Sequence, residues 1–336
     1  MNILIVSTYL PPFAGGAERV ALDLATGINE NESVKLLTTS KNIEHYNNKV
    51  LRVPYIKGLT FFYSTLGINY LKKIISEEDI DLIHCHMALP WGYVLRNCKA
   101  KKIITCHGSD VYPKKNFIID KLIKKSLIVS NCIVSPSNWL SAFVRENYNV
   151  NPRIINNGID TSLFRPLNLT QKENVVLFVG RFIDIKGINL LLEVASELKQ
   201  YEFWFAGTGP LSKRINLPNT KNLGLINKEQ LVSLYNQATA AVFPSKRENF
   251  PLVGLEAMSS GCPVIATRLG FSEYINDMEN GLLVNYDKHD LLNKISLLME
   301  EDQLRRNIKK NARKTAVKFD KQIMINKYYG LYKEII

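Results

Sequence analysis

The sequence predicts an α/β protein made of two doubly wound, parallel-sheet domains that face a central cleft. Three observations predict it. Short apolar runs alternate with helix-period stretches along all 336 residues, and strand, helix, strand in repetition makes parallel sheets covered on both faces. The length suits two domains of ordinary size, each able to bury a core. Midway, the polar stretch "NNGIDTSLFRPLNLTQKEN" (156–174) carries Gly158 and Pro166 and interrupts the alternation before a fresh strand–helix series begins.

In chain order, "ILIVS", "VKLLTT", "LIHCH", "IITCH" and "CIVSP" read as buried strands of the first half. "VVLFVG", "FWFAG", "AAVFP" and "PVIAT" do so in the second. Helices are expected over 16–29, 63–76, 116–127, 187–199, 228–237 and 252–260. The domains should span 1–165 and 166–318. The tail is helical, and "FDKQIMINKYYGLYKEII" has an apolar and aromatic face that suits packing (residues 319–336) against another element. No repeat period and no low-complexity tract is present. In such folds ligands bind outside the carboxyl ends of the strands, so function is expected at the cleft.

Composition narrows the class. Hydrophobic content of 46% and charged content of 22% are those of a soluble globular protein. No apolar run reaches the ~18 residues of a spanning helix. "MNILIVSTYLPP" lacks a basic n-region and a small-residue cleavage site, and reads as a first strand. Cys85, Cys98, Cys106, Cys132 and Cys262 show no CxxC spacing and fit a reduced, cytoplasmic chain. With 43 Lys+Arg against 31 Asp+Glu, the net charge of +12 favours anionic partners. The excess is densest between Arg96 and Lys125, with nine basic and two acidic residues.

Four stretches carry candidate chemistry. "STYLPPFAGGAERVALDL" opens a helix at Gly15 and Gly16, where the backbone can approach a ligand and free amides attract an anion; a plain Gly-Gly turn explains it equally. "VGRFIDIKG" places Arg181 and Lys186 at a strand's carboxyl end, a fork and a point charge able to converge on one diphosphate. "CHGSD" sets His107 and Asp110 just beyond a buried strand. "ENFPLVGLE" puts Glu248 in a loop and Pro251 at a first helical position. The amides of Leu252 and Val253 then point back toward an anion, and Glu256 follows one turn in. Carboxylates on either side of a phosphate-binding helix start suit sugar hydroxyls, one glutamate per ring.

The ordered set "PPFAGGAER", "CHGSD", "INNGIDTSLFRP", "VGRFIDIKG", "AGTGP", "FPSKRENFPLVGLEAMSSGCPVIAT" and "NGLLV" resembles the family 4 retaining glycosyltransferases (glycosyl transferases group 1) of GT-B fold, across almost the whole chain. The family's E-x7-E feature falls on Glu248 and Glu256. The resemblance implies two Rossmann-like domains, the first binding acceptor and the second binding a nucleotide-diphosphate sugar. It implies that Gly15 and Gly16 contact the diphosphate through backbone, and Arg181 and Lys186 through side chains. Glu248 would then hold the transferred sugar, Glu256 the ribose, and His107 would line the reacting centre. The last helix would cross back to the first domain. Many members have Gly where this chain has Pro251, which cannot donate to the phosphate.

The expected activity is metal-independent, retaining transfer of a hexose-type sugar to an acceptor hydroxyl of a cell-surface glycan, lipopolysaccharide or glycolipid, with no cofactor beyond the nucleotide sugar. Alternatives on the same fold are a nucleotide-sugar epimerase or a glycan phosphorylase. A nucleic-acid binder lacks any zinc-finger spacing, RNA-recognition aromatic motif or basic tail. Asp79-Ile80-Asp81 is a literal DxD but precedes a strand, away from the cleft. His84 and His86 share a strand face while Cys85 points away, which gives no zinc spacing. The stretch 112–128 mixes apolar residues with Lys121, Lys124 and Lys125. An ordinary amphipathic helix explains it, and so does docking at an anionic cytoplasmic membrane face.

Overall fold

The computed structural model describes residues 1–10, 15–39, 49–53, 67–112, 116–169, 172 and 174–336. They form two compact units, Met1–Asn157 with Gln322–Ile336, and Gly158–Lys321. The division falls between Asn157 and Gly158, where the sequence suggested 165/166.

The first unit runs β1 (Asn2–Val6), α1 (Gly16–Ile28), β2 (Ser33–Thr38), β3 (Lys49–Arg52), α2 (Gly67–Glu77), β4 (Leu82–His86), β5 (Lys101–Thr105), α3 (Phe117–Ile128), β6 (Cys132–Ser135), α4 (Asn138–Tyr148) and β7 (Arg153–Ile154). Its strands are parallel in the order β3-β2-β1-β4-β5-β6-β7. The helices start where chemistry allows. Asn116 caps α3 and Ser137 caps α4 through side-chain oxygens. Of the helix expected over 63–76, residues 63–66 lie outside the described ones.

The second unit runs β8 (Val175–Val179), α5 (Ile188–Glu197), β9 (Glu202–Ala206), β10 (Thr220–Gly224), α6 (Lys228–Gln237), β11 (Ala240–Phe243), α7 (Leu252–Ser259), β12 (Val264–Thr267), the short turn α8 (Arg268–Phe271), β13 (Leu282–Val284), α9 (Lys288–Glu300) and α10 (Asp302–Ala316). Its order is β10-β9-β8-β11-β12-β13, again parallel. Phe178, Phe182, Phe203 and Phe205 are buried in its core. Each is worth about 1.5–3 kcal/mol of apolar burial.

The closing helix α11 (Lys321–Ile335) lies almost entirely in the first unit. Its Tyr328 and Tyr332 are fully buried and hydrogen-bond Thr105 of β5 and His84 of β4. Arg153 of β7 pairs with Glu334 near its end. The apolar and aromatic face read from the tail is therefore the face packed on the sheet.

Candidate functional site

In each sheet the strand order reverses beside the first strand, between β1 and β4 and between β8 and β11. Loops leaving neighbouring carboxyl ends there run to opposite faces and open a crevice, the usual ligand position in such sheets. In the second unit, 180–187 leave β8 and 244–251 leave β11, so Arg181, Lys186 and Glu248 all arise at that reversal.

The two loops are knitted together. Lys186 Nζ pairs with Glu248 Oε1, which also accepts from Ser245 Oγ at 2.9 Å. The Lys246 amide donates to Ile185 O at 2.8 Å, and its ammonium meets Asp184 Oδ2 at 2.6 Å. Gly187 adopts a left-handed φ of +77°, and a Cβ there would sit 1.9 Å from Pro244 O, so no other residue allows the approach. On the far side Thr267 Oγ1 donates to Ser245 O at 2.6 Å. Gly270, at φ +79°, packs against the Glu248 backbone, which a Cβ would meet at 2.7 Å. Glu248 is thus held from both neighbouring strands. Arg181 is exposed and forms no ion pair among the described residues.

Glu248 is followed by α7, and here the sequence reading needs one correction. Pro251 is not the first helical residue but the N-cap, with extended ψ of 119°, and the helix begins at Leu252. The missing proline N–H therefore precedes the first-turn amides. Those of Leu252 and Val253 have no intrahelical acceptor, and no side chain caps them. Pro251 O accepts from Tyr274 Oη at 2.7 Å, which anchors the cap. Within α7 only Val253 and Glu256 escape full burial. Spaced three apart, they share one face, and Glu256 is placed on the open side.

The first unit positions the remaining candidates. Gly15 is the N-cap of α1 and Gly16 its first residue. The Gly15 amide donates to Glu18 Oε2 at 2.9 Å, so this chain's own carboxylate takes the position expected for a phosphate. The preceding 11–14 lie outside the described residues. His107 follows β5. Asp110 fixes that loop: its Oδ1 accepts the amides of His107 and Gly108 at 2.9 Å, and its Oδ2 accepts the amide of Ala88 at 2.8 Å. His107 Nε2 lies 3.1 Å from His86 Nδ1, their rings stacked at 17°. Burial pushes the His107 imidazole below its ordinary pKa, with the Asp110 and Glu18 charges opposing. His84, on the same strand face, is pushed down to about 3 by burial.

Asp81 of the DxD accepts the Asn2 amide at 2.8 Å, at the amino-terminal edge of the sheet. Among the described residues no group of three His, Cys, Asp or Glu is arranged to hold a metal ion. All five cysteines are free thiols.

Sequence reasoning missed Glu18, His86, Ser245, Gly270 and Tyr274, all of which act on the candidate residues. Glu18 carried a signal, since glutamate at the third position of a helix is half a capping box. Ser245 sits three residues before Glu248, and the remaining three act through contacts distant in sequence.

Two family descriptions match the chain: Glycosyltransferase Family 4 over residues 14–163 and Glycosyl transferases group 1 over residues 160–315. An uncharacterized glycosyltransferase of Methanocaldococcus jannaschii is 30% identical over 353 aligned positions, covering 100% of this chain and 99% of that protein. The O-antigen chain mannosyltransferase C of Escherichia coli is 25% identical, covering 100% and 99%. The solved structure of sucrose-phosphate synthase from Thermosynechococcus elongatus superposes with a TM-score of 0.87 at 25% identity, covering 99% of this chain and 98% of that one.

Proposed function

The chain belongs to the family 4, group 1 glycosyltransferases of GT-B fold, and on that premise we propose that it moves a hexose-type sugar from a nucleotide-diphosphate sugar to an acceptor hydroxyl, with retention and without a metal. The observation that carries this reading is the Lys186–Glu248 pair at the β8/β11 reversal, with Arg181 on the same loop. The two cations and the Leu252 and Val253 amides offer a binding place for a diphosphate. Charge that develops on a departing diphosphate is stabilised best by donors already in position. A diphosphate that draws Lys186 away leaves Glu248, acceptor-only when ionised, to hold sugar hydroxyls. Glu256, one turn into α7, takes the ribose in this reading. Retention rests on family membership. So does the assignment of Gly15, Gly16 and His107 to the diphosphate and the reacting centre.

The acceptor proposed is a glycan or lipid-linked glycan; the Escherichia coli relative is named for the O-antigen chain. Supporting it, the outward face of α3 carries Phe117, Ile118 and Ile128, exposed by 71%, 61% and 58%, interleaved with exposed Lys121, Lys124 and Lys125. Ile123, Ser126 and Leu127 are the buried face. A helix side of only apolar and cationic groups matches an anionic lipid surface at the cytoplasmic face. Among the described residues no helix is long and apolar enough to cross a membrane.

The deciding experiment is a thermal-shift screen of nucleotide diphosphates and nucleotide sugars against the protein and its Lys186→Ala variant, with and without chelator. A preferred donor raises the wild-type midpoint by mass action. The variant should lose that shift, and chelator should leave both it and sugar transfer unchanged. A donor shift of equal size in Lys186→Ala would refute the diphosphate assignment. Transfer that vanishes with chelator and returns with a divalent ion would refute metal independence.

A further inference from the structure

Two buried histidines, the half-buried His107 and two buried tyrosines form a series in the first unit, and its hydrogen bonds do not close evenly. His84 has both ring nitrogens engaged: Nδ1 with Tyr332 Oη at 2.5 Å and Nε2 with Thr105 Oγ1 at 2.7 Å. His86, two residues on and 1% exposed, has one. Its Nδ1 meets His107 Nε2 at 3.1 Å, while its Nε2 has no partner among the described residues.

This asymmetry decides where the protons sit. Burial holds both imidazoles toward their neutral forms, and a neutral imidazole has one N–H and one bare nitrogen. The His86–His107 bond contains one proton, so two arrangements exist. If His107 Nε2 carries it, the proton of His86 must lie on Nε2, a buried donor with nothing to donate to. If His86 Nδ1 carries it, the orphan at Nε2 is a bare lone pair, and the proton of His107 lies on Nδ1. Orphaned buried N–H groups are rarer in proteins than under-satisfied acceptors, and the second arrangement follows.

We propose that His86 is a positioning residue whose Nδ1–H is donated to His107 Nε2, locking His107 as the Nδ1–H tautomer. His107 then presents a hydrogen-bond donor at Nδ1, and whatever Nδ1 meets must accept. A proton-abstracting role through that nitrogen is closed to it. Resting on the reading that His107 lines the reacting centre, its task is to donate to an oxygen of the bound sugar. The proton of the acceptor hydroxyl must leave by another route. The tilted ring contact of His84 on His86, 4.4 Å between centroids and 36° between planes, and the Asp110 staple of the His107 loop leave the pair little freedom to rearrange.

The test is nitrogen-15 NMR of histidine-labelled protein, where protonated and bare ring nitrogens are resolved, with His107 assigned through His107→Gln. The wild type should show His107 protonated at Nδ1 and bare at Nε2. His86→Phe keeps the stack and removes the donor, so His107 should then populate its other tautomer. His86→Asn places an amide N–H near the Nδ1 position and should restore the wild-type pattern. A wild-type His107 protonated at Nε2 overturns the proposal, and so does an unchanged His107 in His86→Phe. Transfer kinetics separate the two layers. The His86→Phe kcat should fall about tenfold at unchanged KM, with recovery in His86→Asn. The predicted NMR pattern with unaltered kinetics would uphold the lock and sink only the placement of His107 at the reacting centre.

Discussion

Lys186 Nζ and Glu248 Oε1 meet across 62 residues of sequence, at the carboxyl ends of two adjacent parallel strands. Their side chains are 23% and 14% exposed, sheltered enough for the pair to be shielded from solvent yet open enough for a ligand to compete. The contact ties together two loops, each of which reads as an ordinary strand-to-helix connection.

Lys186→Ala should therefore affect turnover far more than stability. Loss of a preorganised donor to developing charge costs roughly 100- to 1,000-fold in kcat. The partly exposed ion pair contributes about 1 kcal/mol or less to folding, and Ser245 Oγ still serves Glu248. Glu248→Gln keeps the shape but loses the charge, and should cost activity with little change in melting. Steady-state transfer rates beside thermal melts decide this; a variant that melts early and turns over normally when folded would contradict the assignment.

Gly187→Ala tests whether loop geometry, not only side-chain charge, creates the site. The left-handed conformation costs a non-glycine residue about 1–2 kcal/mol, and the added Cβ would collide with Pro244 O. The loops must part, carrying Lys186 from Glu248. Expected are a lowered urea midpoint and weakened nucleotide binding in titration calorimetry, although no ligand-contacting side chain has changed.

How much was legible follows from where each residue sits. The strands read from sequence lie within the two sheets, because burial on both faces leaves continuous apolar runs such as "ILIV" and "VVLFV". The edge strands β3, β7 and β10 went unread: β7 is exposed and the other two are half-exposed, with "KVLR", "RI" and "TKNLG" carrying no period. β13, at the remaining edge, is buried but only three residues long. Candidate residues were legible where glycine, charge and strand end coincide, as at "VGRFIDIKG". Their supports were not. Nothing around Tyr274 says that its hydroxyl will anchor Pro251 O, and nothing near His86 says that His107 will lie against it.

The α3 face makes a direct prediction. Replacing Lys121, Lys124 and Lys125 together by Glu should abolish sedimentation with anionic vesicles, each cation being worth about 1 kcal/mol near such a surface. Phe117→Ser should weaken binding without changing its salt dependence. Folding should be untouched, since these side chains point outward. Equal sedimentation of the wild type with neutral and anionic vesicles would remove the membrane-docking reading.

Arg313 of α10 holds the far end of α7. Its guanidinium donates to Phe164 O and Ser259 O at 2.9 Å, to Thr161 O at 3.2 Å, and to Ser259 Oγ at 2.5 Å. Ser259 is the last residue of α7, where a cation complements the helix dipole. Arg313→Met would leave Thr161 O and the buried Ser259 O without this donor, while Phe164 O keeps Ser259 Oγ, and hydrogen bonds to a charged group are worth about 1.5–3 kcal/mol each. The cost should be about 3 kcal/mol or more, read as a lowered urea midpoint of the second unit. Arg313→Lys should recover only part of it, because an ammonium cannot span the same fork.

The buried histidines give the first unit a pH dependence of definite sign. His84 titrates at an ordinary 6.5 when unfolded and is pushed down to about 3 by burial when folded. Above pH 6.5 neither state takes up the proton, and stability is flat. Below it the unfolded chain binds a proton that the folded chain refuses, so stability falls by about 1.4 kcal/mol per pH unit for each such group. The loss continues toward pH 3, and His86 and His107, also depressed by burial, add to it. Carboxylates titrate lower, so the interval from pH 6.5 to 5 isolates the histidines. Urea unfolding of a Trp204→Phe variant, followed by Trp91 and Trp139 fluorescence, reads the first unit alone. Its free energy should be level from pH 8 to 7 and drop steeply from 6.5 to 5. His84→Gln, which keeps polar contacts with Tyr332 and Thr105 but cannot titrate, should be less stable at pH 8 and lose stability more gently on acidification. An unchanged slope in that variant would mean that the buried imidazole is not the group taking up the proton.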